Sequence, residues 1–386
     1  MLCGSLCLAF AGPMQAQSQA STKPEEIAQG EDHPAGWIFA PIPINSPAVG
    51  AGLEFAVARL FRTDKSDKVS PPSALAVGGL ITSNGSRALA FGGRLYLKED
   101  KYRLTAGVGT ADVNADIYGV SGEGGKRGTY IPLNGSGTGV TVEPLFRLRK
   151  GVYLGMRTQY RNLTLSLNKE KLEEPDFKPQ PPDQVAQVIG ELQDHFTGQQ
   201  TVSIGPRFEW DTRDNVFYPN RGLFMDVWSD FFTTGLGSKW NYQYYKVGFN
   251  KYMRLDEHQV LAFRAMGCAA AGDFVPIYDL CLFGVMNDLR GYAAGRFQDR
   301  RMFATQAEYR MMLPVEGFAQ RFGFVVFGGI GGVDKKFTDI EWEELLPAGG
   351  AGIRFRLTKK YPVNFRIDYA FGRYGNTLSI GVLEAF

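Results

Sequence analysis

Between residues 361 and 371 the chain reads YPVNFRIDYAF. Tyr361, Val363, Phe365, Ile367, Tyr369 and Phe371 fall on one side, and Asn364, Arg366, Asp368 and Ala370 on the other. A period of two belongs to a strand, because a helix cannot segregate side chains at this spacing. Residues 303 to 313 repeat it, with Phe303, Ala307, Tyr309, Met311 and Leu313 opposite Gln306, Glu308 and Arg310. Residues 202 to 213 do the same, with Val202, Ile204, Phe208 and Trp210 opposite Ser203, Arg207, Glu209, Asp211 and Arg213. The final segment sets Leu378, Ile380, Val382 and Phe386 against Ser379, Gly381 and Ala385. Sixteen such segments begin near residues 47, 73, 87, 101, 114, 138, 151, 200, 221, 238, 257, 302, 321, 347, 361 and 377.

An even number of strands, many close to the roughly 9 to 11 residues that cross a bilayer at a tilt, predicts an all-β, 16-stranded antiparallel transmembrane barrel. The connections point the same way. Ser83–Ser86, Arg149–Gly151, Leu255–Glu257 and Lys359–Tyr361 are short turns after even-numbered segments, whereas the longest links, about 122 to 137, 168 to 199 and 272 to 301, follow odd ones. Short turns on one rim and long loops on the other suit a membrane barrel, and closure removes exposed sheet edges. Alternating strands also build sandwiches and propellers, in which the apolar face is core instead of lipid-facing. The 47 Gly, 17 Tyr and 28 Phe fit a curved sheet with an aromatic outer surface.

Several function classes drop out. The balance of 42 Lys plus Arg against 40 Asp plus Glu gives no basic excess for nucleic acid. His33, His195 and His258 are far apart, and Cys268 and Cys281 lack a neighbouring histidine, so no metal site is expected. In an oxidising compartment those two cysteines form either a disulfide or two free thiols. Gly328–Gly332 has no βαβ unit around it to hold a nucleotide, and serves either to bend a lumen-facing strand or to let a plug loop approach. Glu209 and Asp211 share a strand face without a nucleophile or histidine, so no enzyme and no cofactor is expected. Residues 2 to 13 form an apolar run followed by Met-Gln-Ala, read as a signal peptide over 1–16 that carries off Cys3 and Cys7. Residues 17–46 read as a Pro-rich periplasmic lead-in and 47–386 as the barrel. Asp183, followed by Val185, Val188, Ile189 and Leu192, marks a short helix in the loop from 168 to 199.

Residues 211 to 222, DTRDNVFYPNRG, resemble the short periplasmic turn of BamA/TamA-type outer-membrane assembly barrels, the bacterial surface antigen family; its marked positions are Asp211, Arg213, Asp214, Asn215, Pro219 and Gly222. Leu289, Arg290, Gly291 and Tyr292 are similar to the motif in the family's sixth extracellular loop, and AEYR at 307–310, GAGIR at 350–354 and the terminal Phe386 follow in order. The resemblance covers essentially all of residues 47 to 386. It implies a bacterial outer-membrane barrel with that loop folded into the lumen and Arg290 held by inner-wall acids. Parity turns Glu308 and Asp368 inward as its counter-ions. Two features depart from the family: about 30 residues between signal and barrel, too few for a periplasmic POTRA module, and Gly329 where an inward Asp is common. The implied partners are the bilayer and, in protein assembly or translocation, other outer-membrane barrels or periplasmic assembly proteins; the alternative is a plugged channel or passive surface barrel.

Overall fold

A computed structural model describes residues 36–46, 50–118, 130–172, 199–284, 288–357 and 362–386. Sixteen antiparallel strands follow one another around one sheet. They are β1 (Gly36–Ser46), β2 (Gly50–Phe61), β3 (Ser73–Thr82), β4 (Arg87–Leu97), β5 (Tyr102–Tyr118), β6 (Tyr130–Arg149), β7 (Val152–Leu167) and β8 (Gln199–Asp211). The wall continues with β9 (Gly222–Phe232), β10 (Tyr242–Arg254), β11 (Gln259–Ala271), β12 (Arg301–Met312), β13 (Phe322–Asp334), β14 (Leu346–Arg356), β15 (Asn364–Gly372) and β16 (Gly375–Val382). Each pairs with its sequence neighbours, while β1 and β16 share no ladder. The barrel is therefore closed except at one seam.

Burial decides between barrel and sandwich. Phe39 is 68% exposed, Phe371 59% and Phe91 53%, while Arg157, Arg207 and Glu209 are 0–1% exposed. Apolar side chains outside and ions inside invert the arrangement of a soluble protein, and only lipid makes that surface stable. Among the described residues no helix is long and apolar enough to cross a membrane.

The count of sixteen stands, but its composition changes. Gly36–Ser46, expected as lead-in, is β1; Pro41 and Pro43 make it read as linker, although an edge strand tolerates them. The segments expected near 101 and 114 are the single strand β5. Its outward residues turn from Val108 to Asp112 and Asn114, while its inward ones turn from Arg103 and Thr105 to Ala111, Val113 and Ala115. The strand leaves the bilayer there, so its polar face changes sides and imitates a turn. β6 shows the same reversal, from outward Val140 and Val142 to outward Ser136 and Thr138, and it starts at Tyr130, well before residue 138. Restoring β1 also moves Ser83–Ser86 to follow β3, on the rim of the long loops.

The last strand ends at Val382, and Leu383 takes a left-handed φ of 73°. Phe386 therefore does not continue the lipid-facing row of Leu378. It turns into the lumen and packs with Tyr252, Ala262 and Ala385. Expectations for the signal segment, for most of residues 17–46 and for a helix near Asp183 lie outside the described residues.

Candidate functional site: a loop held in the lumen

Among the described residues, the largest buried apolar cluster is built around the connection between β11 and β12, residues 272 to 300. Phe283, Leu289, Tyr292 and Phe297 from that loop pack with Tyr242, Tyr244, Met266, Met302, Val333 and Leu346 of the wall. A lumen lined with ions would not otherwise offer such a core, so the loop supplies one.

Arg290 ties the loop to two acids of the wall. Its Nη1 lies 2.9 Å from Asp368 Oδ2, its Nη2 bonds Glu308, and its Nε donates to Gln306 Oε1 at 3.0 Å. The guanidinium also stacks on Phe327, 3.4 Å from the ring centroid. The acids are shared. Asp368 also receives Arg354 at 2.6 Å and Arg366 at 3.0 Å, and Glu308 receives Arg310 at 2.6 Å. Arg354 continues to Glu384 at 2.7 Å, and Arg310 to the Phe386 carbonyl at 2.7 Å. Strict alternation puts these groups on one inner wall, where confinement makes pairing obligatory.

The rest of the motif fits β13 to β16. Gly291 has a φ of 115°, and its N–H donates to Thr377 Oγ1 at 3.1 Å. Tyr292 donates its hydroxyl to the Pro347 carbonyl at 2.6 Å. A Cβ at Gly329 would stand 2.7 Å from Leu289 Cδ1, and one at Gly331 would stand 2.6 Å from Phe283. The missing inward Asp on β13 is thus a missing side chain where the loop needs room.

A second hold escaped the sequence. Arg161 of β7 grips Asp279 of the loop through both carboxylate oxygens, at 2.8 and 2.6 Å, and Tyr242 bonds the same group. Tyr278 beside it packs among Ala111, Val113, Ala115 and Leu163. A third hold is covalent, since Cys268 of β11 and Cys281 of the loop form a disulfide.

An Omp85 superfamily domain model matches residues 86–377. The chain belongs to the Omp85 superfamily. This is a family of outer-membrane assembly and transport barrels, not of enzymes, and it places the protein in the bacterial outer membrane. The fold resembles CdiB from Escherichia coli at a TM-score of 0.58, with 10% identity, over 92% of this chain and 62% of that one. CdiB from Acinetobacter baumannii gives 0.56, with 9% identity, over 90% and 59%. BamA from Haemophilus ducreyi lacking POTRA domains 1–3 gives 0.55, with 13% identity, over 90% and 69%. This chain thus spans 59% to 69% of the length of those three. No curated protein matches it in sequence.

In this Omp85 barrel the turn motif after β8 holds itself together. Asp211 pairs with Arg213 at 3.0 Å. Asp214 accepts the N–H groups of Asn220 and Arg221 at 2.8 and 3.1 Å, and Asn215 those of Phe217 and Tyr218 at 2.8 and 3.0 Å. Pro219 is buried, and Gly222 closes the turn at a φ of 102°. The side chains of Asp214 and Asn215 thus satisfy backbone N–H groups of their own turn. A second ionic network lies on the β4 to β9 wall, where Glu209 takes Arg94 and Arg103, and Glu143 takes Arg157 and Arg207. Parity had set Arg207, Glu209 and Asp211 on the polar face, but not their partners.

The disulfide yields a direct expectation. Its cysteines are 13 residues apart, and a loop of this length carries about 3 kcal/mol of chain-entropy stabilisation. Replacing both with serine should lower the temperature at which the folded barrel loses its fast migration in detergent gels. An unchanged transition would show that the loop is held without the cross-link.

Proposed function

We propose that this barrel acts in outer-membrane protein assembly or translocation, without catalysis, by offering its seam to an incoming strand. The observation that carries this is the absence of a ladder between β1 and β16, while the other neighbouring strands are zipped. Open strand edges facing lipid leave backbone groups unsatisfied, at a cost of several kcal/mol each. An incoming strand removes that cost with main-chain hydrogen bonds and so accepts varied sequences. The partners are other outer-membrane barrels, with periplasmic proteins delivering them. Loop 272–300 contacts β16 through Gly291 and Thr377, so its position and the seam are coupled physically.

The test is to lock the seam. Cysteine pairs placed along β1 and β16 and oxidised in proteoliposomes should abolish insertion of a reporter outer-membrane barrel, and reduction should restore it. Full insertion by the locked form would overturn the proposal and leave a plugged channel or passive surface barrel.

A further inference from the structure

The two edges of the seam are not equivalent. Alternate residues of a strand send their N–H and C=O groups to opposite sides, so one hydrogen bond fixes which residues look outward. Ser83 N–H donates to the Ala51 carbonyl at 2.6 Å, so Ala51 and the other odd residues of β2 bond toward β3. Opposite them in the β1 register lie Asn45, Pro43, Pro41, Phe39 and Trp37. These five β1 residues therefore turn their backbone groups away from β2 and into the seam. Proline has no N–H. Two consecutive sites at the centre of this edge accept but cannot donate, and each pyrrolidine ring stands where a hydrogen would point.

The β16 edge is complete. Leu383 N–H donates to the Asn364 carbonyl at 2.7 Å, and the β15 register runs from Phe365↔Val382 to Gly372↔Gly375. Odd residues of β16 thus bond β15, and Asn376, Leu378, Ile380 and Val382 face the seam, each with a donor and an acceptor. The strand is also held in place. Glu384 is bonded by Arg354 and Asn364 at 2.7 and 2.8 Å, and the Phe386 carbonyl by Arg310 at 2.7 Å. A preordered strand loses little freedom when it pairs.

Among the described residues, any register that pairs all four seam sites of β16 uses four consecutive sites out of the five on β1, and each such set includes both prolines. We infer that β1 is a built-in poor partner and that β16 is the docking edge, where an extended strand of another outer-membrane barrel adds as the next neighbour. Its chemistry follows from the faces it must continue: apolar beside Leu378, Ile380 and Val382, small or polar beside Thr377, Ser379 and Gly381. This rests on the seam reading above and adds which edge is used.

The full chain in nanodiscs tests it, with a photoreactive phenylalanine analogue at Phe39 or at Leu378, both exposed outward. The probe is a lysine-flanked peptide alternating Val and Thr. Capture at 378 should exceed capture at 39 by on the order of tenfold, the effect of losing one or two net hydrogen bonds. Ile380→Pro removes one seam donor without touching the β15 ladder and should reduce capture at 378 to the level at 39. Pro41→Val with Pro43→Val should let β1 close on β16, lowering peptide capture and joining residue 39 to β16 within one chain; this variant keeps the test decisive if Ile380→Pro does not fold. Dominant capture at 39 or indifference to both variants would overturn the β16 assignment alone, and a dimer adduct at 378 in place of peptide would overturn the occupant, a strand of a different barrel. No capture at either edge, together with insertion by the seam-locked form, would overturn the seam itself.

Discussion

Asp368→Asn should destabilise the barrel more than the loss of Arg290 does. Asp368 is fully buried and receives Arg290, Arg354 and Arg366, so neutralising it leaves three guanidinium groups converging without their shared anion. Breaking a buried ion pair from one side costs about 3–5 kcal/mol, because the remaining charge stays buried. Arg290→Ala differs in kind. Glu308 keeps Arg310, and Asp368 keeps Arg354 and Arg366, so the wall retains paired charges and the loop loses one of its ties. Urea unfolding followed by heat-modifiable migration should place Asp368→Asn well below Arg290→Ala, with Glu308→Gln between them. The reverse order would mean that the wall does not depend on Asp368 as its shared acid.

That asymmetry was not legible from one chain. Parity sent Glu308, Arg310, Arg366 and Asp368 inward, because alternation needs only neighbours in sequence. Which inward charges meet depends on the stagger of strands around the barrel, a long-range property. Arg161 and Asp279 show this: one lies on β7, the other in a loop that follows β11, 118 residues later. The motif Leu289–Tyr292 was found because its residues are contiguous. The strand errors have local causes. Prolines at 41 and 43 conceal β1, and strands that outrun the bilayer exchange their apolar and polar faces, which broke β5 in two. The terminal Phe386 follows the apolar row by count, yet one left-handed residue, Leu383, sends it inward.

Conductance through the barrel should rise in steps as the holds on loop 272–300 are removed. The loop is tied at Arg290 to the β12 and β15 wall, at Asp279 to Arg161 and Tyr242, and at Cys281 to Cys268. A hydrogen bond to a charged group contributes about 1.5–3 kcal/mol, so losing one tie should raise the displaced population roughly ten- to a hundredfold. Such a shift still leaves the loop mostly in place if the other ties hold it. In planar bilayers the wild type should therefore show small, fluctuating conductance, and Arg290→Ala more frequent openings of the same kind. Arg290→Ala with Asp279→Ala under reducing conditions should give large, sustained openings, because the loop then loses its ionic ties to both walls and its cross-link together, and keeps its apolar contacts and hydrogen bonds such as that of Tyr292 to the Pro347 carbonyl. Steady, large conductance in the wild type, indifferent to Arg290, would mean that the loop does not restrict the lumen. The three ties also act on different parts of the wall. The Arg290 tie sits beside β15 and β16, next to the seam, whereas Arg161, Tyr242 and Cys268 lie on β7, β10 and β11. Releasing Arg290 alone should therefore alter strand capture at Leu378 as well as conductance, while Asp279→Ala should alter conductance with little effect on capture.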